Sequence, residues 1–101
     1  MKQSREALSS DCVTPERLAK YFDYTKRALA EVKRAINSAR TKDANEILDM
    51  ASRYYSDAEH FAAKGDVVTA FAALNYAHGW LDCGARLGIF LVNNNELFVV
   101  D

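Results

Sequence analysis

The stretch that decides the fold runs from Asp57 to Gly88 and reads DAEHFAAKGDVVTAFAALNYAHGWLDCGARLG. Two helical patterns meet inside it at Lys64-Gly65-Asp66. A glycine accepts the left-handed conformation that ends many helices, and an aspartate accepts hydrogen bonds from the free N–H groups of the next helix. We therefore predict that this junction joins two antiparallel helices in a tight hairpin.

The helix after this junction is apolar or small on almost every side. At 100° per residue, one face carries large apolar residues, a second carries small residues and a third is mostly aromatic. A helix of this kind is a buried helix, and two neighbouring helices cover only two of its three faces. We therefore expect the aromatic face to need another cover. The large apolar face consists of Phe71, Leu74, Leu81 and Ala85. The small-residue face consists of Ala70, Ala73, Ala77, Gly84 and Gly88, and the aromatic face of Tyr76, Trp80, Cys83, Leu87 and Phe90.

Two further helices are expected before the hairpin junction. Thr14-Pro15-Glu16 combines an N-cap hydroxyl, a proline and an acid, which together are a strong helix start. Apolar residues then recur at spacings of three and four, and a second such stripe follows the ARTKD turn. The predicted fold is a single all-α domain, an up-and-down three-helix bundle with the third helix central. The expected ranges are helices at about 14–39, 44–64 and 66–91 and a tail at 92–101, within a domain covering 1–101.

The two ends of the chain are expected to be less regular. The first 13 residues show no period and are expected to form a frayed lead-in. Near the other end, Asn93-Asn94-Asn95 is a turn signal before the apolar run Leu97–Val100. This predicts a short extended or hairpin tail that could fold over the aromatic face. A second subunit is the other candidate cover, and both alternatives stay open.

Composition limits the class of protein. The 101 residues are 50% apolar and 27% charged, which is typical of a globular domain. No stretch reaches the roughly 18 apolar residues of a membrane span, and the first residues do not resemble a signal peptide. Cys12 and Cys83 are too far apart for a metal knuckle, and Cys83 is expected to be buried in a reducing compartment. We therefore expect a cytoplasmic protein with no contact to membranes.

Part of the deciding stretch also resembles a known family. Tyr76–Asp82, Lys64–Asp66, Ala70-Phe71 and Arg86–Gly88 are similar to the signature of the archaeal Domain of Unknown Function 357 family. The resemblance implies an archaeal cytoplasmic protein with a compact bundle of three long helices. Some relatives carry the domain beside a nucleotidyltransferase-like domain, which implies an accessory role. The resemblance implies no catalytic residue.

A narrow polar strip on the third helix is the first candidate site. It consists of Asn75, His78, Asp82 and Arg86, with Asp82 four residues from both His78 and Arg86. A His–Asp pair is the framework of general base catalysis, but no serine or cysteine nucleophile stands at helical spacing beside it. A half-buried network that fixes helix register explains the same residues. We therefore expect no catalytic residue, no metal ligand and no cofactor.

Charge is distributed unevenly along the chain. Residues 1–42 carry ten lysines and arginines against five acids, and the remainder carries three against nine, so the balances of +5 and −6 give the net charge of −1. Attraction between a basic first helix and two acidic helices explains this asymmetry. Contact with nucleic acid is the alternative. The candidate residues for it are Lys20, Arg27, Lys33 and Arg34.

The surplus apolar surface of the third helix favours one function over the others. We expect a non-enzymatic helical interaction or oligomerisation module, whose partner is a second copy in a dimer or another protein. The alternative is an accessory or enzymatic domain that acts on nucleotides or RNA through the polar strip or the basic first helix. The candidate interface residues are Tyr76, Trp80, Leu87 and Phe90.

Overall fold

The computed structural model describes residues 12–98 and confirms the all-α fold class. Three helices follow one another along the chain: α1 (Pro15–Lys33), α2 (Thr41–Ala63) and α3 (Val67–Arg86). A 3₁₀ turn, Ser38–Arg40, precedes α2. Most of the expected lead-in and the last three residues of the expected tail lie outside the described residues.

The junction between α2 and α3 confirms the predicted hairpin. Gly65 adopts a φ of +82°, and its N–H donates to the carbonyl of Ala62 at 3.0 Å. The N–H of Asp66 donates to the carbonyl of Phe61 at 2.9 Å, which completes a Schellman motif. The Asp66 carboxylate then accepts the N–H of Thr69 at 3.1 Å, so adjacent residues end one helix and begin the next.

Small residues form the contact between α2 and α3, which is the most extensive in the molecule. Ala44, Ala51 and Ala58 recur every seven residues along α2 and are fully buried. Because alanine and glycine side chains are so small, the two helix backbones approach closely. The predicted small-residue face of α3 is confirmed at Ala70, Ala73, Ala77 and Gly84, which are all buried.

Helix α3 lies centrally, as predicted, because α1 also packs against it while α1 and α2 touch each other only slightly. The ring of Tyr21 on α1 packs against Phe71 on α3, with centroids 4.8 Å apart. Phe22 on α1 meets Tyr55 on α2 edge-to-face at 5.7 Å. Elsewhere α1 and α2 diverge, and a cleft remains between them.

Helices α1 and α3 both end earlier than the sequence pattern predicts. The segments that follow them pair with each other, because Ile36 and Phe90 form an antiparallel bridge. The N–H of Leu91 donates to the carbonyl of Ala35 at 2.7 Å, and that of Asn37 donates to the carbonyl of Ile89 at 2.9 Å. These bonds need extended backbone, so the two segments leave the helical conformation that their apolar spacing favours.

The described part of the tail is extended and contains one tight turn. The carbonyl of Asn94 accepts the N–H groups of Leu97 and Phe98, at 3.1 and 2.9 Å. The turn places both side chains in the core cluster that also contains Ala28 of α1. The tail up to residue 98 therefore lies on the α1 side of α3 and does not cover the aromatic face of that helix.

Candidate functional site

The side of α3 that faces away from α1 is largely apolar and open to solvent. Tyr76 is 64% exposed, Trp80 37% and Leu87 60%, so three of the four predicted interface residues share this surface. Val68 lies near its N-terminal end and Leu91 lies beyond its C-terminal end, and both are exposed. We call this surface the outer face; it extends about 29 Å from Val68 to Leu87 at the helical rise of 1.5 Å per residue.

The fourth predicted interface residue, Phe90, does not lie on the outer face. The prediction assumed that the helix continues to about residue 91, which would carry Phe90 along the aromatic stripe. Because α3 ends at Arg86 and Gly88 turns the chain with a φ of +74°, Phe90 folds back and is 1% exposed. It is a core residue.

A shallow depression of about 330 Å³ lies in the middle of the outer face. The ring of Tyr54 on α2 stacks on that of Tyr76 on α3, with centroids 5.1 Å apart and planes 15° apart. Cys83 is exposed here, so the prediction that it is buried is wrong: it lies on the outer face of the helix rather than towards the core. The lining residues are Tyr54, Asn75, Tyr76, Gly79, Trp80 and Cys83.

Gly79 lies at the centre of this surface. The structure explains why the other three positions are glycine. Gly65 and Gly88 adopt positive φ, and a Cβ at Gly84 would collide with the Phe90 ring. A Cβ at Gly79 would meet no atom within 4 Å, and its φ is not positive. A glycine in the middle of a helix costs about 1 kcal/mol relative to alanine, and no contact among the described residues requires it here.

The predicted polar strip is only partly brought together. Asn75, His78 and Asp82 line a second pocket, of about 230 Å³, between α3, α1 and the tail. Arg86 is exposed and does not line it. The other lining residues, which the sequence analysis did not assign to a site, are Tyr21, Tyr24, Gly79 and Glu96.

The hydrogen bonds of His78 fix its ring in a structural position. Its Nε2 lies 2.6 Å from the carbonyl oxygen of Leu97. Because a carbonyl only accepts, Nε2 carries the proton, and Nδ1 faces the hydroxyl of Thr25 at 3.5 Å. The nearest Asp82 oxygen lies 4.0 Å from Nε2. The imidazole therefore links the tail to α3.

Metal-ligating side chains do not cluster among the described residues. Among residues 12–98, no three histidine, cysteine, aspartate or glutamate side chains lie close enough to hold a metal ion. His60 and His78 lie on different helices, and His60 is exposed with its ring edge-to-face against Phe61.

The predicted basic residues of α1 separate into different environments. Arg27 is bound by Glu96 at 3.1 Å and Asp23 at 3.6 Å, and the hydrogen bond to Glu96 is the main reason that its pKa is raised. Lys20 lies over the ring of Tyr24, 5.6 Å from the centroid. Only Lys33 and Arg34 point towards a common feature, the cleft between α1 and α2.

That cleft has a volume of about 540 Å³, larger than either of the two pockets described above. Lys26 lines the cleft together with Lys33 and Arg34, and the ring of Tyr55 lies opposite these cations. Burial raises the pKa of Tyr55, with smaller contributions from Glu59 and Asp23. The lining residues are Lys26, Leu29, Ala30, Lys33, Arg34, Ser52 and Tyr55.

Residues 20–90 match the model of a family described as protein of unknown function (DUF357). The chain belongs to this family. The match covers most of α1 and the whole of α2 and α3, so the family resemblance expected from the sequence is confirmed. No curated protein and no solved structure matches the chain significantly. Within residues 12–98, no helix of this DUF357 protein combines the length and the apolarity needed to cross a membrane.

Proposed function

We propose that this DUF357 protein is a non-enzymatic interaction module that forms a homodimer through the outer face of α3. The observation that carries the proposal is the exposure of Tyr76, Trp80 and Leu87 around Gly79, a helical glycine that no contact within the described chain explains. Large apolar surfaces of this kind mark interaction sites in soluble proteins. Tyrosine and tryptophan are also the residues enriched at the energetic centres of interfaces.

A second copy is the partner that fits this surface best. The face combines exposed rings at Tyr76 and Trp80 with a shallow depression beside Cys83, which supports pairing with a second copy of the same surface. In an antiparallel pair with a twofold axis at Gly79, Tyr76 of one copy lies opposite the Cys83 recess of the other. The missing side chain at Gly79 then allows the two helix backbones to approach where they cross, which offsets its cost to helix stability.

Sedimentation equilibrium over about 1–100 µM tests the dimer against a matched pair of variants. We expect the wild-type protein to self-associate in this range. Trp80→Glu places a charge at the centre of the interface and should leave a monomer, because an unpaired buried charge is strongly unfavourable. Ala19→Glu adds the same charge at an exposed position of α1 and should associate like the wild type. A wild-type protein that stays monomeric throughout the range contradicts self-association.

An accessory or enzymatic role on nucleotides at the polar strip has weaker support. The residues that line the pocket of Asn75, His78 and Asp82 include no lysine or arginine to hold a phosphate, and the carboxylate of Asp82 would repel one. Thermal unfolding with and without nucleotides or divalent metals tests this role: a shift that disappears in Asp82→Asn would support it. We further propose a cytoplasmic location, because exposed free thiols such as Cys83 persist in reducing compartments.

A further inference from the structure

The cleft between α1 and α2 concentrates positive charge that the protein itself does not neutralise. Lys26, Lys33 and Arg34 are exposed and have no ion-pair partner among residues 12–98. Three other arginines have carboxylate partners within 4 Å: Arg27 with Asp23 and Glu96, Arg40 with Asp43, and Arg53 with Asp49. Lys26, Lys33 and Arg34 thus line one cleft together, and their charges are available to an anionic ligand from outside the chain.

The spacing of these cations suits a polymer of negative charges. Lys26 and Lys33 are seven residues apart on one side of α1, which corresponds to two helical turns or about 10.5 Å. Arg34 adjoins Lys33 and widens the charged edge. A single phosphate group is too small to contact both ends of this row, whereas consecutive phosphates along a strand extend over it.

The remainder of the cleft lining provides apolar and hydrogen-bonding groups. Tyr55 and Ser52 come from α2, and Leu29 and Ala30 form an apolar floor on α1. Stacking of a base on an aromatic ring contributes roughly 1–3 kcal/mol per base. A ring beside a row of cations is the combination that proteins use for single-stranded nucleic acid.

We propose that this cleft binds a short single strand of nucleic acid, with its phosphates on Lys26, Lys33 and Arg34 and a base against Tyr55. A duplex fits less well, because the free cations lie on one wall of the cleft and its paired bases could not stack on Tyr55. An acidic peptide would use the same cations but has no base to place against the ring. The proposal goes beyond the dimer proposal and stands independently of it, because no cleft residue belongs to the outer face of α3.

Fluorescence anisotropy with a labelled 12-nucleotide single strand tests the proposal on the full chain. We expect binding at 50 mM salt that weakens about 20-fold at 200 mM, because three phosphate contacts on a single strand give a logarithmic salt slope near −2. Lys33→Glu/Arg34→Glu should weaken binding at least tenfold. Lys20→Glu/Lys64→Glu makes the same change of net charge outside the cleft and should weaken it less than threefold. Circular dichroism of both double variants establishes that they are folded.

Three competitors distinguish the sources of negative charge. An unlabelled strand of the same length should displace the probe, whereas an abasic strand should need at least a tenfold higher concentration because it has no base to stack. ATP should compete more than tenfold less well than the strand. Equal competition by the abasic strand or by polyglutamate overturns the proposal in favour of a general polyanion site. Equal weakening by the two double variants, or no binding at 50 mM salt, overturns it as well.

Discussion

The ring of Phe90 lies against the backbone of Gly84 on α3. A Cβ at position 84 would stand 2.5 and 2.6 Å from two carbons of this ring and 3.3 Å from the Ile47 side chain. The glycine is therefore required by the path of the chain after α3, which brings Phe90 back under the helix to its bridge with Ile36. Gly79, slightly more than one turn earlier, faces solvent instead.

The two helical glycines should respond to alanine in opposite directions. Gly84→Ala should lower the free energy of unfolding by about 1–3 kcal/mol, because the added methyl group overpacks the core against Phe90. Gly79→Ala should raise the free energy of unfolding of the monomer by about 0.5–1 kcal/mol, because alanine is the better helix former and the site is open. Urea unfolding followed by circular dichroism at about 1 µM measures both.

Each variant acts as the control for the other, since both make the same chemical change in one helix. Gly79→Ala should also weaken the dimer in sedimentation equilibrium, because the methyl group separates the two backbones. A Gly79→Ala protein that is both more stable and more tightly dimeric would contradict the proposed crossing point.

Cys83 reports on the outer face through its chemical reactivity. In a Cys12→Ser background, the thiol of Cys83 should react readily with a thiol reagent at low protein concentration, because it is exposed in the monomer. Its rate should fall as the concentration rises through the dimerisation range, since a partner would cover the recess it lines. The same measurement in Trp80→Glu is the control, and its rate should stay constant. A wild-type rate that does not depend on concentration would argue against burial of this face.

His78 should hold the tail in place. His78→Ala removes the hydrogen bond from Nε2 to the carbonyl of Leu97, which lies only 2.6 Å away. We expect a loss of about 1 kcal/mol in the free energy of unfolding and faster hydrogen exchange at the amide of Phe98, which is bonded to Asn94 within the same turn. Asn75→Ala changes an exposed residue of the same helix and should leave that exchange rate unchanged. Unaltered exchange in His78→Ala would show that apolar packing alone retains the tail.

Tyr55 should make the protein less stable in alkali. Burial raises its pKa in the folded state above the usual value near 10, so the folded state keeps a proton that the unfolded state loses first. This stabilising contribution is fully present below pH 10 and is lost as the pH rises through the folded pKa. Urea unfolding between about pH 9 and 11 should therefore show a steeper decline for the wild type than for Tyr55→Phe. Parallel curves would mean that the phenol ionises equally in both states.

Local patterns were enough to predict much of the fold. The Gly65-Asp66 junction could be predicted because glycine tolerates positive φ and aspartate caps a helix whatever surrounds them. The small-residue face around Ala77 followed from helical periodicity, as did the aromatic stripe of Tyr76 and Trp80. These features depend on residues within about two turns of each other, so the sequence contains the whole of their cause.

Contacts between distant residues account for what the pattern missed. Ile36 continues the apolar spacing of α1, and Phe90 continues the apolar spacing of α3. The two residues nevertheless pair with each other outside both helices. The basic cleft is similar, because Tyr55 is more than twenty residues away from Lys33 and its approach to the cations of α1 has no signature in either segment. The charge pattern made Arg27 a candidate for binding nucleic acid, but in the folded chain Arg27 forms an ion pair with Glu96 of the tail.

The sequence by itself therefore determined the three helices, their hairpin junction and the excess of apolar surface on α3. Capping and periodicity act locally, and they gave no information about how the tail would pack. Only the tertiary structure decided which side of α3 stays open, because the tail fastened by His78 and Leu97 covers the α1 side and leaves Tyr76 and Trp80 in solvent. The physical reason is that burial of Leu97, Phe98 and Phe90 depends on surfaces that exist only after the helices have packed.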